Sequence, residues 1–281
     1  MYLLTNQYIM KNSFLFLVTV LFLNVTYAQE TDETDDIFAD NYEVFSDSTS
    51  NYAIDKNIIK TNLSSIIFRN YSLHYERVIT KRFSLSLSYR MMPKGALPLK
   101  KSILSFIEDD EVDNDIEDII NESKISGSAI TFEPRFYIGK KGYGRGFYFA
   151  PYYRHSSFKF DNVGFSYESD DGFDRKIFID GKINANSGGL MVGAQWDLGK
   201  GFVLDWWILG GHIGSSSGKL NGTSDIPLSS EEQQAIRESI ESIEFSDMIK
   251  EITVDSNGVD VELDMPWYGV RAFGVSVGYR F

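Results

Sequence analysis

Apolar and polar positions alternate along most of the chain, with the period of an extended strand. Ala272 to Phe281 reads A-F-G-V-S-V-G-Y-R-F. Phe273, Val275, Val277, Tyr279 and Phe281 share one face, while Ala272, Gly274, Ser276, Gly278 and Arg280 share the other. Phe83, Leu85, Leu87, Tyr89 and Met91 alternate with Ser84, Ser86, Ser88 and Arg90. Ile130, Phe132, Phe136 and Ile138 alternate with Glu133, Arg135 and Tyr137, and Leu204, Trp206 and Ile208 with Asp205 and Trp207. The pattern predicts eight strands, over 58–67, 71–79, 83–92, 129–138, 147–157, 188–198, 202–213 and 269–281. The fifth is aromatic on both parities, and the parity carrying Arg154 is assigned inward.

These strands have an unusual polarity. One face is large and apolar, and the other is small or charged. Lipid outside and a crowded polar interior fit that arrangement. Beyond the first residues no run of 18 or more apolar positions exists, so a spanning chain must satisfy its backbone by closing a sheet. Connections alternate between short turns and long excursions after the first hairpin, as periplasmic turns and extracellular loops do. The predicted fold is therefore all-β, an eight-stranded antiparallel transmembrane β-barrel with two helix-containing extracellular loops. In the first such loop Ser102 precedes Ile103, Ile107, Ile116, Ile119 and Ile120. In the second, Ser229-Ser230-Glu231-Glu232 is a capping box ahead of Ile236, Ile240, Ile243, Met248, Ile249 and Ile252. The two apolar stripes are predicted to pack on each other or on the strand-five and strand-six hairpin, which turns at Asp170-Asp171-Gly172.

The amino terminus divides the chain further. Residues 1–28 read as a signal peptide: basic Lys11, an apolar core from Phe14 to Leu23, and small residues before Gln29, with Met10 a plausible true start. Residues 29–56 read as an acidic, disordered periplasmic leader, and 57–281 as the barrel. Net charge is −13. Residues 29–56, 94–127 and 215–267 together carry −22, which leaves +9 on the rest. An acidic fringe on a basic frame excludes a nucleic-acid binder. With no Cys, disulfides and thiol chemistry are excluded too.

Three constellations could carry chemistry. Lys60, His74, Glu76, Arg90, Glu133, Arg135, Asp205 and Arg280 all fall on the inward parity. Strand neighbours suggest the pairs Lys60–Glu76, Arg90–Glu133 and Asp205–Arg280, a lumen network that closes the barrel; a gated ion path is the alternative. No second His lies at metal spacing from His74, so it is read as a hydrogen-bonded lumen residue, and no metal or cofactor is predicted. His155 and Ser157 lie on one strand face as H-x-S, and they resemble the catalytic pair of outer-membrane lipid A deacylases. That resemblance implies a Ser nucleophile with a His base. Folding about Asp171-Gly172 places Asn186 opposite Ser157 and Gly188 opposite His155, which leaves the pair without its acid. The carboxylates of 108–115 lack the Gly and final Glu of a Ca²⁺ loop and read as a solvated helix face.

The final strand, with Phe273, Val275, Val277, Tyr279 and Phe281, resembles the terminal strand through which the barrel-assembly machinery recognises outer-membrane proteins. Ile58-Ile59-Lys60-Thr61-Asn62-Leu63 and Tyr75-Glu76-Arg77 resemble a family of small outer-membrane β-barrels of Gram-negative bacteria, porin-like and of unknown function. The resemblance implies an integral outer-membrane protein with both termini periplasmic. Outer-membrane lipid and lipopolysaccharide are the expected surroundings, with an extracellular partner at loops 94–127 and 215–267. The predicted role is structural or surface-binding; a narrow channel and a lipid A hydrolase are the rival readings.

Overall fold

The computed structural model describes residues 55–98, 122–168, 174–241 and 246–281. The predicted signal peptide, most of the leader, the helix expected after Ser102 and the hairpin tip at Asp171 lie outside the described residues. The strands are β1 (Asn57–Asn62), β2 (Tyr71–Val78), β3 (Phe83–Ala96), β4 (Lys124–Tyr137), β5 (Gly146–Glu168), β6 (Asp174–Gly199), β7 (Phe202–Ser224), β8 (Ile249–Asp255) and β9 (Gly258–Arg280). One helix, α1 (Ser230–Glu241), stands between β7 and β8.

All nine strands form one antiparallel sheet, which closes into a ring because β1 pairs with both β2 and β9. The ring runs β1 to β7 and then β9. β8 pairs with β9 only, over its outer part, from Gly258 to Leu263. The short β1 reaches β9 only from Ser276 to Arg280, so β8 lies beside β9 at a height that β1 never attains.

Three expectations need correction. β1 stops at Asn62 rather than running to residue 67, and a 3-10 helix follows over Ser64–Phe68. Asn62 breaks the strand: its Oδ1 accepts from Ser64 Oγ and from the Ser65 amide, both at 2.8 Å. Ser65 Oγ then donates to the Asn70 carbonyl at 2.8 Å and ties off the loop. Such side-chain bonds to nearby backbone compete directly with a strand ladder. The second correction concerns the second long loop, whose described helix runs to Glu241; Ile249 and Ile252, read there as helical, belong to β8, a strand beyond the eight predicted. The third concerns length. β5, β6, β7 and β9 have 23, 26, 23 and 23 residues, far beyond a membrane span.

Register makes the extra length legible. Phe132, Tyr153, Gly188, Ile213 and Tyr268 are successive cross-strand neighbours facing outward, and Tyr153, Ile213 and Tyr268 are each at least half exposed. Two residues further along each strand, the outward row becomes His155, Asn186, Ser215 and Pro266. Next come Ser157, Asn184, Ser217 and Asp264, and then Lys159, Lys182, Lys219 and Glu262. On β5, β6, β7 and β9 the surface therefore changes from apolar to polar at this row, while on β2 to β4 it stays apolar further out, through Leu73, Tyr89, Ile130 and Met91.

Inside, the order is reversed. The end of the ring nearest Asn57 and Arg280 is filled by charged and hydroxyl side chains. The opposite end holds an apolar core that includes Met92, Ile125, Phe158, Phe160, Ile183, Leu263, Met265 and Trp267. Leu228, Ile236 and Ile240 of the α1 segment close over that core, so the stripe of α1 packs on the strand extension. The capping box forms as the sequence predicts: Ser229 Oγ accepts from the Glu232 amide at 3.1 Å, and Glu232 Oε2 accepts from the Ser229 amide at 2.7 Å.

Candidate functional site

The interior site is built by alternation. On β3 the inward positions are Ser84, Ser86 and Ser88, all buried and too small to fill the ring. Long side chains from the facing strands take that space. Lys60 Nζ donates to Glu76 Oε2, Gln195 Oε1 and Asp205 Oδ2, each at 2.6 Å. Arg135 donates to Asp205 Oδ2 at 2.7 Å, to Glu133 Oε2 at 2.8 Å and to Glu76 Oε2 at 3.3 Å. Ser84 Oγ and Tyr137 OH donate to Glu76 Oε1 at 2.6 and 2.7 Å, and Tyr148 OH donates to Asp205 Oδ1 at 2.8 Å. Arg271 Nη1 reaches Glu133 Oε1 at 2.8 Å. Every strand of the ring contributes a member.

Three cations (Lys60, Arg135, Arg271) meet three carboxylates (Glu76, Glu133, Asp205), so the network is neutral. The side chains of Lys60, Glu76, Arg135, Glu133 and Asp205 have no solvent exposure. Buried charges cost several kcal/mol each in desolvation, and only full pairing and hydrogen bonding offsets that. Here every carboxylate oxygen has a donor. The guanidinium of Arg135 also lies 4.6 Å from the Tyr148 ring centroid.

Below the network the 139–145 turn folds into the mouth. Gln195 Nε2 donates to the Gly144 carbonyl at 2.7 Å, and Arg280 donates to the Tyr143 and Gly144 carbonyls at 3.0 and 3.3 Å. Gly144 has φ +75, and a Cβ there would lie 3.1 Å from Val78 Cγ2 and 3.2 Å from Arg280 Nη2. Only Gly lets the backbone come this close in that conformation.

The sequence-predicted residues sort as follows. Lys60–Glu76 forms. Arg280 pairs with Asp197 at 3.2 Å, not with Asp205, because Arg280 sits at the rim while Asp205 is taken by Lys60 and Arg135. Glu133 is held by Arg135 and Arg271, and Arg90 meets no carboxylate among the described residues. His74 is buried, with Nε2 3.1 Å from Ser72 Oγ and its ring edge-on to Trp207 at 5.1 Å.

Arg271 was missed for a physical reason. Counting back from Phe281 by twos puts it on the outward face, yet it is buried. The parity changes at Phe273, whose φ is +52, and opposite it β7 carries an extra residue relative to β6, between Val192↔Leu209 and Gly193↔Trp207. Such irregularities re-aim side chains. A lone Arg on an otherwise apolar, outward parity was the available signal.

His155 is exposed on the outer surface, and its Nδ1 is 2.8 Å from Asn186 Oδ1. Asn186 is opposite His155, and Asn184 opposite Ser157, two residues from the sequence-derived register. A bulge between Phe160 and Val163, with Asn162 at φ +60, accounts for part of the shift. The ring is thus oriented by an amide, which cannot stabilise an imidazolium as a carboxylate does.

Phe273, Tyr279 and Phe281 are about half exposed on the outer face, and Val275 and Val277 are intermediate. Beyond the polar boundary, Lys219 bonds Glu262, which Lys250 also meets at 3.3 Å. The hydrogen bond to Glu262 raises the pKa of the Lys219 ammonium. The bonds from Lys219 and Lys250 lower that of the Glu262 carboxyl.

No protein-family model and no curated protein matches the chain. Among solved structures it is similar to CarO of Acinetobacter baumannii, with 12% identity and a TM-score of 0.32 over 81% of this chain and 98% of that one. Similarity at that level adds nothing to the geometry, on which the functional reading rests.

Proposed function

We propose that the chain is an integral outer-membrane β-barrel with a closed, ion-paired lumen, acting as a structural or surface-binding protein through its outer extension. One observation supports this above all: a belt of exposed Phe, Tyr, Leu and Ile rings a charged, fully buried interior, and on β5, β6, β7 and β9 it stops at one row of the sheet. Water on both sides of the wall would leave the belt exposed at a cost of about 1.5–3 kcal/mol for each large side chain. Lipid removes that cost. The end holding Asn57, Arg280 and the short turns is then periplasmic, and the capped end extracellular.

Lys159, Lys182 and Lys219, in one exposed row above the belt, support contact with the phosphates of lipopolysaccharide. The acidic back of α1, with Glu231, Glu238 and Glu241 outward, is the surface offered to a soluble partner.

Single-channel recording in a planar bilayer tests the closed lumen. Flat traces are expected, and reproducible conductance steps would replace this reading with the narrow channel. A lipid A mass profile that changes with expression of the protein would instead favour the hydrolase.

A further inference from the structure

The balanced network does not account for all the buried charge. One layer further out the lumen holds Arg90 on β3 and Arg154 on β5, with Arg271 of β9 at the boundary between the two layers. Arg154 is nine-tenths buried and Arg90 partly buried. Only a single small-residue strand separates them. Ala129 of β4 is the register partner of both Arg90 and Ser156, and Ser156 Oγ accepts the Arg154 Nε–H at 3.1 Å. Their charges interact with each other and with Arg271. Among the described residues no carboxylate lies within ion-pair distance of Arg90 or Arg154. The carboxylate next to the layer, Glu133, already receives Arg135 and Arg271.

Donors predominate in the rest of the layer. Tyr152 OH and His212 Nδ1 lie 3.0 Å apart and satisfy each other. Trp207 Nε1–H is buried without an acceptor, and its ring lies 4.5 Å from the Arg271 guanidinium. The neutral network closes the layer from below. From above it is closed by the apolar core, where the rings of Phe158 and Trp267 meet at a tilt with centroids 5.8 Å apart, with Met92 and Met265 in the same cluster. Among the described residues the layer therefore holds two guanidinium groups without a counter-charge, between an ionic floor and an apolar ceiling. Arg does not shed its proton in proteins, so the charge cannot be removed by titration. Burying an unpaired ion costs several kcal/mol, and a counter-anion is the remaining way to offset it.

We propose that this layer binds a small dianionic oxyanion of the phosphate or sulfate class, held by Arg90, Arg154 and Arg271. The unmatched charge of the first two equals that of the dianion. Each guanidinium fork can give two parallel N–H donors to adjacent oxygens of such an ion, a fit that a halide does not use. The site goes beyond the surface-binding role and does not depend on it, because a closed lumen has no need of an anion.

The full chain, folded in detergent micelles without phosphate, is titrated with sodium phosphate or sodium sulfate, and with sodium chloride at matched ionic strength. A saturable rise of the thermal midpoint is expected with the oxyanions and not with chloride. R90M and R154M should each weaken the apparent phosphate affinity at least tenfold, while K200M, in the exposed turn between β6 and β7, leaves it unchanged. Equal rises with chloride, or unaltered affinity in both arginine variants, would overturn the proposal. R90K and R154K keep the charge without the fork, and they should fall between wild type and the Met variants. Calorimetric titration of the wild-type protein with phosphate needs no variant at all, and a trace without binding heat also overturns the site.

Discussion

Asn57 and Phe281 exchange both of their backbone hydrogen bonds, the Asn57 amide to the Phe281 carbonyl at 3.0 Å and the Phe281 amide to the Asn57 carbonyl at 2.9 Å. This pair joins the first strand to the last and leaves the sheet without a free edge there, while the Phe281 ring stands half exposed in the outer belt.

A closed ladder resists detergent far better than an open one, because no edge is available from which to unzip. Unboiled and boiled protein should therefore run at different positions on a detergent gel. One common mobility would mean that the ring does not survive as a unit.

Phe281→Asp should lower the yield of folded protein in vesicles, since it puts a charge into the belt beside the closing bonds. Charged residues on a lipid face cost up to about 2–4 kcal/mol at mid-membrane and about 0–1 near its surface. Yield from urea-unfolded protein mixed with vesicles measures the effect, and a wild-type yield would place Phe281 outside the lipid.

Asp205 accepts from Lys60, Arg135 and Tyr148, so Asp205→Ala removes one of three buried carboxylates and leaves the network with a net positive charge. A loss of about 3–5 kcal/mol is expected. Adding Lys60→Met should restore part of it, measured as the coupling in a double-mutant cycle of urea unfolding. Equal, additive losses would show that the two residues act independently.

Ser229→Ala removes the acceptor for the Glu232 amide and should destabilise α1 by about 0.5–2 kcal/mol. The change should stay local. Protease cleavage within 229–241 should quicken while heat-modifiable mobility is unchanged, and an altered gel shift would tie α1 to the whole ring.

The lowered pKa of Glu262 gives a signed expectation. Its contribution to the pair is present above the ordinary glutamate value and fades as pH falls through the lowered one. That of Lys219 is present below the ordinary lysine value and fades as pH rises through the raised one. NMR titration should show the Glu262 carboxyl below the usual range, moving back up in Lys219→Met. No movement would assign the shift to Lys250 alone.

Much of this was legible in the sequence because a period of two is hard to disguise. Ser84, Ser86 and Ser88 announce a tightly filled interior, and Lys60, Glu76, Glu133, Arg135 and Asp205 fall on the parity that buries them. Partner choice was less legible. It depends on height along the strand and on reach across the ring, so Asp205 went to Lys60 and Arg135 while Arg280 stayed at the rim with Asp197. Local backbone events were least legible. The Asn62 turn, the Asn162 bulge and the left-handed Phe273 each shift what a fixed period predicts, and Arg271 was hidden by the last of these. β8 was hidden differently: Ile249 and Ile252 fit a helical stripe as well as a strand, and only their pairing with β9 settles it.

The length of the hairpins sets a distance. From Ile213, in the last apolar row, β7 continues to Ser224 before α1 begins. At about 3.3 Å per residue, and allowing for strand tilt, α1 stands about 25–35 Å above that row. That is roughly the thickness of the hydrocarbon itself. On the proposed outer-membrane reading, a soluble partner would therefore meet α1 and the β8 edge well clear of the bilayer, with the lysine row below level with lipid phosphates. One continuous sheet thus holds two levels, the lysine row and α1, a fixed distance apart, and strand length alone sets that distance.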